Sequence, residues 1–598
     1  MKRFNGESAK ATSAENTSEQ TAPERKGLSR RSFLSGAVLA AASAGAMGLM
    51  SGCAPKTSSG TSNSTASGSG TAITVNENLA VSPAGTNYPW AAEPPEIADS
   101  QVESEVDCDV VVVGLGVSGV SAFRAAAEAG AKVVGFEKGA EVGVRSSQYA
   151  YLNGTMTDRF NLGTFDLDKV IQEEFEECSS MTKYPIVRKW AYNSAAAYDW
   201  WCAGDADLYI PVKGEVVDEK THPVYVSSMS DPSIDYENER QAAYPENLSF
   251  SDHKHVVNAN LQKGIDKGGT ANFGHFVEKL ITDDSGKVTG VYARNASTGK
   301  YVKANAKKGV ILSCGDCRSN RDMVAYFIPS IITNGNGNPW PNTDVEGNKT
   351  NTGDGYKLGY WAGAAIQDLQ TPMTHIMGGP ADSDSQAESM GIMSNAPFMR
   401  LNYKGQRFMN EDTCAADAEY PVELQPKHKC FMIWDSHYAE QVPTFVNMFP
   451  VSSDSLEKAV DNKTVFKANT LKELLSSIDG MDVTTGLASI DHYNEMCTAG
   501  YDSDFCKKAK YLNPVKDGPF YAQRMGVGLC LVLMGGLESD ENAHVIDVNG
   551  DVIPGLYVSG NCQGNRFAVK YPFRLSGTSH SMAMYYGKVA GENAVAGI

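Results

Sequence analysis

The sequence lacks a covalent haem site: none of its 12 Cys stands in a CxxCH motif. Beside Cys314-Gly-Asp-Cys317 there is no second CxxC or His pair to complete a zinc site, so no metal ligand set is expected. The other cysteines show no disulfide framework, and the 314/317 pair reads as buried and inert rather than redox-active. Positive charge is scarce. Lys plus Arg is 52 against 71 Asp plus Glu, a net charge of −19, and −22 without the first 53 residues with their seven basic and four acidic side chains. Such a surface repels phosphate backbones and anionic headgroups, which argues against nucleic acid and polybasic membrane binding. Glycine is abundant at 57, yet without the period of a collagen or a solenoid. What is present, 42% hydrophobic and 21% charged over 598 residues, suits a soluble globular protein with ample chain for a large core.

The first hundred residues concern address. Ser29-Arg30-Arg31-Ser32-Phe33-Leu34 leads into a weakly apolar Ala/Gly-rich run to Met50, too short and too mild for a spanning helix. This resembles a twin-arginine export signal, whose route carries proteins already folded. Met50-Ser51-Gly52-Cys53 resembles a lipoprotein cleavage box, so Cys53 would be acylated and would tether the chain to the outer face of the membrane. Residues 1–53 are therefore expected as signal. Residues 54–105, rich in Ser, Thr, Gly and Asn, are expected as a disordered spacer.

The folded part opens on Asp109-Val-Val-Val-Val113, a continuous apolar run suited to a parallel strand buried on both faces. It runs into Gly114-Leu-Gly116-Val-Ser-Gly119 and an Ala-rich helical stretch to Ala129. Gly114 permits the tight turn, Gly116 admits a pyrophosphate against the backbone, and Gly119 lets helix pack on strand. The helix N-terminus then faces the phosphates. A second strand, Lys132 to Phe136, ends in Glu137, where an acid takes the ribose hydroxyls of an adenosine. An acid there disfavours NADP, and this local pattern leaves NAD and FAD both open.

Further motifs carry a resemblance. Glu137-Lys138 with Gly143-Val-Arg-Ser146, Lys308-Gly-Val-Ile-Leu-Ser-Cys-Gly315, and Thr352-Gly353-Asp354-Gly355 occur in that order. Gly555-Leu-Tyr-Val-Ser-Gly560-Asn561 and the final stretch from Gly577 through Ser579 to Ala590 follow. Together they resemble the flavoprotein family of fumarate reductases and succinate dehydrogenases, which includes urocanate reductases and 3-ketosteroid dehydrogenases. The resemblance implies FAD as cofactor. It implies an α/β fold, a doubly wound FAD-binding (Rossmann-like) domain with an inserted α+β capping domain. The FAD domain would occupy 106–370 and 521–598, the cap 371–520. The late strand end at Gly560-Asn561 would contact the ribityl chain, and the last helix would aim its N-terminus at the isoalloxazine.

By the same resemblance, Arg574-Leu575 matches a carboxylate-binding Arg-Leu, and Asp368 to His375 matches the segment bearing a substrate-binding His. Two departures stand against fumarate reduction. Ala415 occupies the place of the proton-donating Arg, and Val532, in Cys530-Leu-Val532-Leu-Met534-Gly-Gly536, that of a second His. Neither can move a proton or hold a carboxylate. Tyr571-Pro572 resembles instead the Tyr-Pro of ketosteroid dehydrogenases. The expected catalytic set is thus Arg574, His375 and Tyr571 beside an apolar wall, suited to an α,β-unsaturated carbonyl with a bulky body. The expectation is an exported FAD-dependent reductase of activated C=C bonds. With no haem or iron–sulfur motif of its own, it would draw electrons from a quinol-oxidising or multihaem cytochrome. A steroid-type dehydrogenase and a non-catalytic flavin carrier are the alternatives.

Overall fold

The computed structural model describes residues 90–92, 94–145, 148–155, 164, 166–203, 246–249, 253–329, 338–339, 342–368, 370–377, 396–413, 417–445, 451–572 and 577–598. Of 148, 246–249, 338–339, 371–377 and 527–530 only the backbone is described. The expected signal, with Arg30, Arg31 and Cys53, and the spacer up to residue 89 lie outside the described residues. Trp90, inside the expected spacer, is buried against Phe327 and Tyr360, with ring centroids 5.9 and 6.0 Å away.

In chain order the main elements are β1 (Val102–Val113), α1 (Val117–Glu128), β2 (Val133–Glu137), α2 (Leu167–Glu177), α3 (Tyr184–Cys202), α4 (His253–Asp266), β3 (Thr270–Phe273), β4 (His275–Thr282), β5 (Val288–Asn295) and β6 (Tyr301–Leu312). There follow α5 (Asp354–Trp361), β7 (Thr371–Met377), β8 (Met399–Leu401), β9 (Lys429–Trp434), β10 (Val465–Ala468), β11 (Phe520–Met534), β12 (His544–Ile546), β13 (Val552–Val558) and α6 (Thr578–Ala596).

The first sheet runs β12-β13-β6-β1-β2-β3, with the β4–β5 hairpin joined to the N-terminal half of β6. β1 is parallel to β2 (Val110↔Val133) and to β6 (Val110↔Gly309), and β6 is parallel to β13 (Val310↔Leu556). Its valines explain this central place. Val110 and Val112 enter one core with Phe123, Trp190 and Tyr586, while Val111 and Val113 enter the other with Val310, Leu312 and Tyr356. Alternation sends β-branched side chains to both faces, and both are covered. On one face α6 lies against α1 through small residues: a Cβ at Gly591 would come within 2.5 Å of Ala122 O, and one at Gly587 would overlap Ser118 O. The last helix therefore sits directly on the helix that follows the glycine turn.

The second sheet runs β7-β11-β9-β8, with β10 also on β11. β11 spans the expected 520/521 boundary and belongs to this sheet as far as Met534. Its core holds Phe398, Trp434 and Tyr521, whose rings stack at 5.9 and 5.7 Å. Arg407 and Glu411, inside the 371–520 range expected for the cap, form a buried network with Asp502 and Lys507. Fully paired, these charges meet the desolvation that burial imposes on them and fix the cap internally. Among the described residues no helix is long and apolar enough to cross a membrane.

Candidate active site

The glycine turn has the geometry its spacing implies. Gly114 has φ +90°, in the left-handed region, and a Cβ there would approach Ser313 O to 2.6 Å. A Cβ at Gly119 would overlap Gly114 O, so α1 packs on its own turn only because both residues are glycine. Gly116 is the N-cap of α1 and offers no capping side chain, which leaves the helix N-terminus for an anion. At the end of β2, Glu137 Oε2 accepts from Leu115 N (2.8 Å) and Oε1 from Gly139 N (2.7 Å). Burial pushes this carboxyl up, against the pull of those two N–H donors. Glu137 thus braces the turn as well as standing where a ribose would bind.

Lys138 and Asp354, both among the residues expected to bind the cofactor, are joined. Lys138 Nζ lies 2.7 Å from Asp354 Oδ2 and donates to Thr352 Oγ1 (2.9 Å), with Lys357 Nζ 3.2 Å from Asp354 Oδ1. Burial opposes both charges, but each is overruled by its partner: the ammonium is raised and the carboxyl is held well below the usual range. This pair ties the end of β2 to the first turn of α5.

Gly315 has φ +75° and abuts Asn351. Next to it Asp316, fully buried, accepts from Arg318 Nη1 (2.7 Å) and Arg318 N (3.0 Å), and Arg318 and Arg145 both donate to Asn351 Oδ1. Cys314 and Cys317 are free thiols, and burial pushes Cys314 well up, which suits the inert reading.

The far end of the site forms where β13 meets α6. A Cβ at Gly560 would strike Ser118 Oγ, so the strand end rests on the first turn of α1. Asn561 Oδ1 accepts from Arg566 Nη2 (3.1 Å) and Ser579 Oγ (3.5 Å). Gly577, φ +82°, begins α6 without a capping side chain of its own. The cap comes from Tyr571, whose hydroxyl accepts from Ser579 N at 3.1 Å. Burial pushes the Tyr571 phenol far up, so it keeps its proton at neutral pH. Val532, Met534, Phe567 and Tyr571 share one buried apolar cluster, which supplies the expected wall.

His375 lies on β7, its backbone opposite Leu529 of β11, with Met373 opposite Val532 and register shifts on either side of the Thr374–His375 pair. Its side chain, and Ser146, Ala415, Arg574 and Leu575 entirely, lie outside the described residues. The sequence reading missed Asp316, Arg318 and Asn351, and it missed Arg566 and Glu174. Glu174 on α2 is 3% exposed, its carboxyl pushed well up by burial and by Glu177 and Glu173.

These parts form a cradle of dinucleotide type, with an acid at one end, a glycine turn in the middle, and the start of α6 at the other end. A family model described as an FAD binding domain matches residues 109–579. The vinyl phenol reductase of Lactiplantibacillus plantarum is 26% identical over 526 residues, 81% of this chain and 96% of that one. A fumarate reductase (cytochrome) of Shewanella frigidimarina is 25% identical over 81% of this chain and 76% of its own. Among solved structures, a 3-ketosteroid-delta4-(5alpha)-dehydrogenase from Rhodococcus jostii superposes with a TM-score of 0.63 at 23% identity, covering 84% of this chain and 99% of that one. The expected fold class and cofactor are borne out: the chain belongs to this FAD-binding family, and FAD is its cofactor.

Proposed function

We propose that this FAD-dependent oxidoreductase, acting on CH–CH groups, works as an exported reductase of activated C=C bonds in α,β-unsaturated acids or enones. The observation that carries the reading is Tyr571. A buried phenol, held protonated, accepts the Ser579 N–H in the first turn of α6 while standing in the apolar cluster of Val532 and Met534. When bound, FAD supplies hydride to one carbon of the double bond, and an external donor replaces the electrons. The chain does the rest. The Tyr571 hydroxyl favours negative charge at the carbonyl side of the substrate, while the start of α6 faces the flavin. Arg574 would hold a carboxylate or a polarised carbonyl, and His375 would help orient it. Tyr571 and His375 are the candidates to return a proton to the second carbon, since Ala415 and Val532 carry none. An apolar wall in place of a second His favours a bulky or aromatic substrate, and the vinyl phenol reductase is a relative with such a substrate in its name.

The Tyr-Pro at 571–572 also favours a second reading, the same chemistry run as a dehydrogenase. Anaerobic oxidation of reduced viologen by the holoenzyme, against enones and enoic acids including fumarate and urocanate, separates the two. Turnover of bulky aromatic acids or enones without fumarate supports the reductase. Silence across the panel, together with dye reduction by saturated ketones, supports the dehydrogenase. Silence in both directions with flavin bound leaves the carrier. Export in the folded state, acylation at Cys53 and a cytochrome donor belong to the same proposal.

A further inference from the structure

Arg566 is a buried charge with no carboxylate paired to it among the described residues. Its side chain is 1% exposed; Nε donates to Gln563 O at 3.2 Å and Nη2 to Asn561 Oδ1 at 3.1 Å. Nη1 has no partner, and neither end of the Gln563 amide, also 1% exposed, has one. Cys562, Tyr571, Tyr356 and Tyr586 are among the titratable groups around the guanidinium, and burial pushes each of them up, so none of these four brings negative charge at neutral pH. Burial pushes Arg566 itself down to about 10, which still leaves it cationic. The Phe567 ring, 5.2 Å from the guanidinium carbon, is the other favourable contact.

Among the described residues no carboxylate pairs with this guanidinium, and a buried cation without such a pair is costly unless a bound anion supplies the missing charge. The guanidinium is one hydrogen bond from Asn561 Oδ1, and that oxygen also takes the Ser579 hydroxyl at the first turn of α6. We propose that Arg566, acting through Asn561, is the fixed counter-charge of the flavin, favouring its reduced, negatively charged form. The proposal rests on the reading that places the isoalloxazine at the start of α6. Arg566 is on this account a positioning residue. It bonds Asn561, and its field would act through the buried, low-dielectric interior around it, in which a single charge counts heavily.

The test uses the holoenzyme and three readouts: FAD content, the midpoint potential of the bound flavin, and its affinity for sulfite, which adds to flavins and leaves negative charge on the ring. Arg566→Met is expected to retain FAD, to shift the potential to more negative values and to bind sulfite about tenfold more weakly. Arg566→Lys, which keeps the charge and loses the fork, should fall between Met and wild type. If Arg566→Met does not fold, Asn561→Ala decides, because it leaves the charge and cuts its link to Ser579; several-fold weaker sulfite binding is expected. Unchanged potential and sulfite affinity in a flavin-loaded variant overturn the proposal. A wild-type protein that takes up no FAD overturns the underlying reading instead, and a merely structural Arg566 would lower stability while leaving the potential where it was.

Discussion

At the residue scale the site depends on side chains that are absent and on one hydroxyl. Gly119 is the plainest case, because a methyl there would occupy the position of Gly114 O. Gly119→Ala is expected to cost about 2–3 kcal/mol and most of the bound FAD, read as a lower Tm and a bleached protein. Wild-type flavin content in that variant would remove the turn from the site. Tyr571 carries two separable roles. As the acceptor for Ser579 N it caps α6, and in the proposed reaction it is one of two candidate proton donors. Tyr571→Phe should cost about 1 kcal/mol of stability from the lost hydrogen bond. If the phenol is the proton donor, kcat should fall about 10²- to 10⁴-fold with FAD retained. A fall confined to stability would pass the proton to His375.

At the scale of elements, the Lys138–Asp354 pair fastens β2 to α5. Asp354 has a folded pKa held below its unfolded value, so its share of stability is complete above about pH 5 and is lost as the pH falls through 4 and below. Lys138 has a raised folded pKa, so its share is complete below about pH 10 and is lost only as the pH rises past that. Lys138→Met should therefore lower Tm at neutral pH, and the gap to wild type should narrow in acid; a gap as wide at pH 3 as at pH 7 would show that the pair adds nothing. The elements also separate what sequence could carry from what it could not. The valines of β1, the glycine turn and Glu137 are local signals, each fixed by neighbours within a strand or a turn. Their places follow from spacing alone. Asp316, Arg318 and Arg566 are different: buried charges repeat with no period, and no spacing announces that Asp316 and Arg318 pair with each other or that Arg318 and Arg566 reach Asn351 and Asn561. Tyr571 was legible as a motif but not as the cap of α6. Trp90 sits in a Ser/Thr/Gly-rich stretch whose composition conceals it.

At the scale of the whole molecule, β7 and β11 of the second sheet bring His375 and Val532 onto neighbouring strands, and Val532 and Met534 at the end of β11 enter the core on one face of the first sheet. The address proposed from the Arg-Arg pair and Cys53 is tested apart from the chemistry. Cys53→Ser should release the protein from membranes, and Arg30→Lys with Arg31→Lys should leave it inside the cell, as fractionation reads. Membrane attachment unchanged by Cys53→Ser would refute the lipid anchor.

The central claim, hydride delivery from FAD to an activated double bond, needs no partner protein to be examined. Photoreduced holoenzyme, mixed anaerobically with a bulky aromatic enoic acid or an enone, should regain its oxidised flavin absorbance within seconds and yield one saturated product per flavin. A reduced flavin that stays reduced against every activated alkene offered, yet reoxidises on contact with a quinone or a haem acceptor, would contradict the account.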